Sequence, residues 1–169
     1  DVFARQNLVS ATVDSIIVRD IATRHQIRNI SLLRKMADYF CFSPTDEVSR
    51  TRISNILKDG GESASINTVS EYMEYLKDAF FIHECPLISH KKGDVLKSVP
   101  LKVYLNDTSF AKTADEQSDF GKLLENIIFI ELIRRGFKVK TLQIDNGEID
   151  FVARIGNKLH YYQVAYLIG

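Results

Sequence analysis

Apolar positions recur at helical spacing over the first eighty residues and pass into strand-like runs beyond them. Val13, Ile16, Ile17 and Ile21 share one side of Ala11 to Arg24, which predicts a helix. A second helix is expected from a cap at Asn29 or Ser31 through Leu32, Leu33, Met36, Tyr39 and Phe40, ended by Pro44. A third, shorter helix begins near Ser49, carries Ile53, Ile56 and Leu57, and stops at Gly60-Gly61. Ser65 or Asn67 caps a fourth. There Glu71 is placed to close a capping box on Thr68, and Val69, Tyr72, Met73, Leu76 and Phe80 make the apolar stripe.

Phe81 to Ile88 then reads as a strand, the stretch Ser89 to Asp94 as a polar turn with Gly93-Asp94 at its tip, and Leu101 to Leu105 as an alternating second strand. A short helix, a glycine turn, a longer helix and a lysine-bearing hairpin are the plan of a winged helix-turn-helix. The polar residues 108–118 predict an inter-domain linker. Asp119 caps a further helix through Leu123, Leu124, Ile127, Ile128, Ile130, Leu132 and Ile133, apolar almost all round and so expected to be deeply buried. Gly136 ends it, and three strands follow over Phe137–Ile144, Glu148–Arg154 and Lys158–Ile168, joined by the turns Asp145-Asn146-Gly147 and Gly156-Asn157. The expected class is α+β. A helical lead-in and winged-helix module spans 1–110, and a helix plus three-strand meander of α/β character spans 111–169.

Composition narrows the classes. A hydrophobic share of 45% over 169 residues is that of a folded chain, and no apolar run is long enough to span a bilayer. No charged start, apolar stretch and small-residue cleavage site follow in order over the first residues, so no secretory signal is expected among them. Cys41 and Cys85 lie in apolar surroundings and read as buried reduced thiols, with a disulfide as the alternative, so a cytoplasmic location without membrane contact is expected. The chain opens on Asp1 and closes inside the apolar run Gln163 to Ile168, so it is expected to be a piece of a longer protein, truncated at its C-terminus. A net charge of +0 gives no global footprint for nucleic acid, and DNA contact would need a local patch. The four histidines, His25, His83, His90 and His160, show no metal-ligand spacing.

Two constellations carry chemistry. Glu125 interrupts an apolar helix, Asp150 sits between Ile149 and Phe151, and Gln163 between Tyr162 and Val164. Alternation puts Glu148, Asp150 and Val152 on one strand face, and in a meander Asp150 and Gln163 become neighbours. Carboxylates on adjacent elements are the donors that hold Mg²⁺ for phosphodiester cleavage, so Glu125, Asp150 and Gln163 form a candidate catalytic set and Glu125 and Asp150 candidate metal ligands. The bland alternative pairs Glu125 with Arg134 or Arg135 and lets Asp150 accept backbone N–H groups. In the helix-turn-helix, Asn67 and Ser70 open the reading helix, Arg50 and Arg52 precede it, and Lys91, Lys92 and Lys97 lie on the wing, all suited to DNA. Glu71, Glu74 and Asp78 make the same helix acidic, which favours a protein partner or a homo-oligomer instead.

The stretch Gly121 to Glu131, the run Glu148-Ile-Asp-Phe-Val-Ala, the run Tyr161-Tyr-Gln-Val-Ala and, upstream, Lys102-Val-Tyr-Leu-Asn-Asp107 resemble the C-terminal region of a large family of bacterial and archaeal AAA-type ATPases. The resemblance implies a winged helix followed by a truncated domain like the restriction endonucleases, of uncharacterised function. Glu125 matches that superfamily's helix acid and Asp150 its motif aspartate; Gln163 stands in place of the motif glutamate and Ala165 in place of the lysine. The missing lysine implies a degenerate, non-catalytic platform that docks DNA or a protein, with a Mg²⁺-dependent endonuclease as the alternative. No Gly-rich Lys-Ser/Thr phosphate loop is present, so ATP is expected only in an ATPase module upstream, and no cofactor within these residues.

Overall fold

The computed structural model describes residues 2–89, 100–112, 120–145 and 147–166. Its element order is α1 (Val2–Ser15), a π-helical stretch (Ile16–Ala22), α2 (Ile30–Phe42), β1 (Glu47–Val48), α3 (Arg50–Asp59), α4 (Ile66–Asp78), β2 (Ile82–Ser89) and β3 (Leu101–Leu105). A 3-10 turn (Thr108–Phe110), α5 (Phe120–Arg134), β4 (Lys138–Ile144), β5 (Gly147–Ile155) and β6 (Lys158–Tyr162) follow. The class is α+β.

The chain divides into two units that interleave along it. The first holds Asp1–Ser43, Arg50–His83 and Leu105–Lys112; the second holds Pro44–Ser49, Glu84–Tyr104 and Thr113–Gly169. The first unit is helical. Ile17, Ile21, Leu32, Leu33, Met36, Phe40, Ile53, Met73 and Leu76 are all buried, as the 3.6-residue pattern requires. Caps are local and follow the side-chain chemistry: Asn29 accepts the Leu32 N–H and Ser65 the Thr68 N–H. Glu71 closes no box on Thr68; its carboxylate accepts the Tyr75 hydroxyl at 2.6 Å.

Phe80 leaves the stripe as well. Helix α4 ends in a paired reversal, with Phe81 N–H on Leu76 O and Phe80 N–H on Lys77 O, both 2.9 Å. That reversal needs a left-handed residue, and Phe80 supplies it at φ 53° with 69% of its surface exposed. α3 and α5 end in the same pattern with Gly61 and Gly136, where no side chain opposes positive φ. Of the expected linker 108–118, residues 113–118 lie outside the described set, as does the expected cap Asp119. Within it, Phe110 is buried and stacks on Phe81 at 5.3 Å.

The second unit carries the sheet, in the order β1-β3-β2-β4-β5-β6. β1 pairs antiparallel with β3, β2 parallel with β4, and β4, β5 and β6 form an antiparallel meander. Cys85, Tyr104, Phe129, Leu132, Val139, Phe151 and Ala153 form its core. α5 is not sunk in that core: only Asn126, Phe129 and Leu132 are buried along it, and Ile127 is 51% exposed. A two-layer arrangement covers one stripe of a helix, and an apolar far side does not recruit a second layer by itself. β6 is shorter than expected and ends at Tyr162, so Gln163 follows the strand.

Candidate functional site

β3 departs from the alternation its sequence suggests, with all five residues buried. Lys102 and Tyr104, two apart, share a strand face. Lys102 is only 6% exposed and Tyr104 is fully buried, its ring stacked on Phe129 at 4.0 Å. Both reach the one acid on the inner side of α5. The Lys102 ammonium donates to Glu125 Oε1 at 3.1 Å, and the Tyr104 hydroxyl donates to the same oxygen at 2.7 Å.

β5 brings two further acids. Between Lys140↔Val152 and Leu142↔Ile149, β4 advances two residues and β5 three. The extra residue is a β-bulge, which re-aims side chains at that point. Simple alternation separates Asp150 from Phe151, yet both are buried. Glu148 takes the Lys102 ammonium at 2.5 Å, and Asp150 Oδ2 accepts the Val164 N–H at 2.7 Å.

One ammonium thus engages two carboxylates, Glu125 and Glu148, and the charge of Asp150 acts on Glu125. Burial pushes the Glu125 carboxyl above its ordinary range and Asp150 adds to the rise, while Lys102 and Tyr104 pull it down. For Lys102 burial works against the charge, but the bonds to Glu148 and the Glu125 charge outweigh it and hold the ammonium above the usual lysine range. Both groups are shifted upward, which favours the charged lysine and disfavours the charged carboxylate. The short contacts favour the ionised pair, with Glu125 bearing the cost of burial. Burial drives the Tyr104 hydroxyl far up, so it stays protonated and keeps its donation to Glu125.

The expected catalytic set is therefore brought together in part. Glu125 and Asp150 feel each other's charge. Gln163 is exposed between Tyr162 and Val164, which both pack against the core, so it stays outside the cluster. Glu125 pairs with neither Arg134 nor Arg135; both arginines hold Glu131. As Mg²⁺ ligands, Glu125 and Asp150 fit poorly. One Glu125 oxygen already takes Lys102 and Tyr104, one Asp150 oxygen takes a backbone N–H, and no group of three or more metal-ligating side chains is set for a cation among the described residues. Lys102 is the member that sequence reasoning missed. The available signal was a lysine and a tyrosine two apart in an otherwise apolar strand.

Residues 3–120 match a family described as a domain of unknown function, DUF8612. The chain belongs to the DUF8612 family. The DUF8612 match takes in Lys102 and Tyr104 and stops short of Glu125, Glu148 and Asp150. An uncharacterized protein of Haemophilus influenzae is 30% identical over 166 residues, which are 97% of this chain and 41% of that protein. Uncharacterized protein MJ1544 of Methanocaldococcus jannaschii is 29% identical over 96% of this chain and 37% of its own length. The chain thus spans about two fifths of these relatives. No solved structure matches.

The nucleic-acid candidates of this DUF8612 member lie mostly in the first unit. Asn67 is exposed at the start of α4, and the half-buried Ser70 hydroxyl donates to Ile66 O at 2.9 Å. Arg50 approaches Glu74 at 4.0 Å, and Lys77 holds the same carboxylate at 2.8 Å. Arg52 is exposed on α3. Lys91, Lys92 and Lys97 lie outside the described residues. Both cysteines are free and buried, and burial pushes their thiols up, Cys41 to about 12 and Cys85 to about 11. They are packing groups, not nucleophiles.

Proposed function

We propose that this chain is the non-ATPase, C-terminal region of a AAA-type ATPase and acts as a docking module that binds nucleic acid without cutting it. The observation that carries this reading is the Lys102 ammonium seated on Glu125 and Glu148. In a nuclease of the restriction-endonuclease type the acids hold a metal and a lysine stabilises charge on the reacting oxygens. Here the lysine neutralises the acids themselves, and Asp150 is engaged by backbone. The element order β1, α3, α4, β2, β3, with β1 on β3, supports the winged-helix reading. The relatives' greater length accommodates an ATPase module, the expected seat of ATP.

A protein partner is the second reading for α4. Glu74 is shared between Arg50 and Lys77, so the helix offers a duplex little uncompensated positive charge. Incubating the chain with plasmid and oligonucleotide DNA in Mg²⁺ or Mn²⁺ tests the reading. Intact DNA with measurable binding is the expected result. Metal-dependent cutting abolished by Asp150→Asn would contradict it and revive the endonuclease.

A further inference from the structure

The sheet of the second unit has another face, and it is built differently from the one under α5. Phe151 and Ala153 belong to the core beneath the helix, so Val152 and Arg154 point the other way. The register carries that face across three strands: Lys138 lies opposite Arg154, Lys140 opposite Val152, Val152 opposite Tyr161 and Arg154 opposite Leu159. Together they line a groove of about 410 Å³. Its floor is apolar, formed by Leu142, Val152 and Leu159. Lys138, Lys140 and Arg154 supply positive charge, and Tyr161 stands 60% exposed. None of the groove's lining residues is acidic. Those three cations form no ion pair among the described residues, in a molecule where Lys35, Lys77, Lys102, Lys112 and Lys122 all do.

The chemistry selects one occupant. Three unpaired cations around a groove require an anion with several charges, spaced along the sheet. An apolar floor and an exposed tyrosine require a flat, unsaturated surface to cover them. A double helix offers phosphates but keeps its bases stacked inside. A protein partner would cover the floor, but protein interface cores are depleted in lysine, and here two lysines and an arginine surround it. A single-stranded nucleic acid satisfies both demands, with bases stacking on the aromatic ring and phosphates meeting the cations.

We infer that the outer face of β4, β5 and β6 is a single-stranded nucleic-acid binding surface, with Tyr161 stacking a base and Lys138, Lys140 and Arg154 holding phosphates. The inference deepens the docking reading above by naming where and what the chain binds. It owes nothing to the acid cluster.

The test is an anisotropy titration of the whole chain with labelled oligo-dT and with a duplex of equal length, from low to moderate salt. The surface requires oligo-dT to bind more tightly than the duplex. Three phosphate contacts at about 0.7 each give a log–log salt slope near −2. Lys140→Gln should flatten that slope by about 0.7, and Tyr161→Ser should weaken binding at least roughly fivefold at unchanged slope. All four side chains sit on the surface, so denaturation midpoints close to the parent's verify that the variants fold. If oligo-dT binds but responds to Arg52→Gln and Asn67→Ala and not to these variants, the inference falls while the docking reading stands. If a duplex binds more tightly than oligo-dT, the inference likewise falls alone. If neither nucleic acid binds, both fall.

Discussion

Two faces of one sheet handle charge in opposite ways. On the inner face, beneath α5, the Lys102 ammonium is engaged by Glu125 and Glu148, and no buried side-chain polar atom lacks a partner among the described residues. On the outer face Lys138, Lys140 and Arg154 surround an apolar floor and pair with nothing described. The same strands β4 and β5 build both. A buried charge without a partner costs several kcal/mol, so the inner face must close on itself. An exposed charge costs almost nothing, so the outer face can hold three in reserve for a ligand. The acids, which draw the eye in the sequence, hold the ion pairs of the inner face, and the basic residues of the outer face line a groove without a described acidic partner.

That contrast can be broken by substitution, starting where the effect is largest. Lys102→Met leaves Glu125 buried without its cation and should cost about 3–5 kcal/mol in chemical denaturation. Most of that belongs to Glu125, since Glu148 is 37% exposed and solvent screens its share. Adding Glu125→Gln to Lys102→Met should restore a large part, because it removes the orphaned charge. A loss below 1 kcal/mol for Lys102→Met would mean the cluster is not closed by the lysine.

The same ion pair sets a pH dependence. The Lys102 ammonium is held above the usual lysine range, so its stabilising contribution is complete below that range and is lost as pH rises through the folded-state value. Glu125 is shifted upward too, so its ionised form costs stability, and that cost is relieved as pH falls through its folded-state value. Denaturation midpoints should therefore decline on the alkaline limb, and Lys102→Met should flatten that limb.

A smaller loss, about 1–3 kcal/mol, is expected for Asp150→Ala, which orphans the Val164 N–H. At the bottom of the scale, Lys138→Gln, Lys140→Gln and Arg154→Gln should each change stability by no more than about 0.5 kcal/mol. A large loss from any of these three would show that the outer face is part of the fold.

How much of this was legible in the sequence depends on how far each cause acts along the chain. The Asn29 and Ser65 caps were readable because a side-chain oxygen three residues from an N–H is a local fact. Stop signals at Gly60-Gly61 and Gly136 were readable for the same reason. Phe80 was misread because periodicity does not announce a left-handed reversal on a phenylalanine. The stripe on α5 was visible, but not which part of it the sheet would cover. Glu125 and Asp150 were legible as polar residues in apolar runs, whereas their setting was not. The bulge that turns Asp150 inward exists only in the pairing of β4 with β5. The lysine that neutralises Glu125 arrives from 23 residues upstream on β3, so no local spacing records the pair. The outer groove was illegible for a related reason, since it takes three strands in register to gather Lys138, Lys140, Arg154 and Tyr161.

The most direct measurement compares one substitution on each face, Asp150→Asn inside and Lys140→Glu outside, in the same oligo-dT titration in the presence of Mg²⁺. A closed inner face and an open outer one require Asp150→Asn to bind as the parent does, with the oligonucleotide intact in every sample. Lys140→Glu should lose roughly tenfold or more in affinity at low salt. Binding lost in Asp150→Asn and kept in Lys140→Glu, or an oligonucleotide cut by the parent and spared by Asp150→Asn, would contradict the account and return function to the acids.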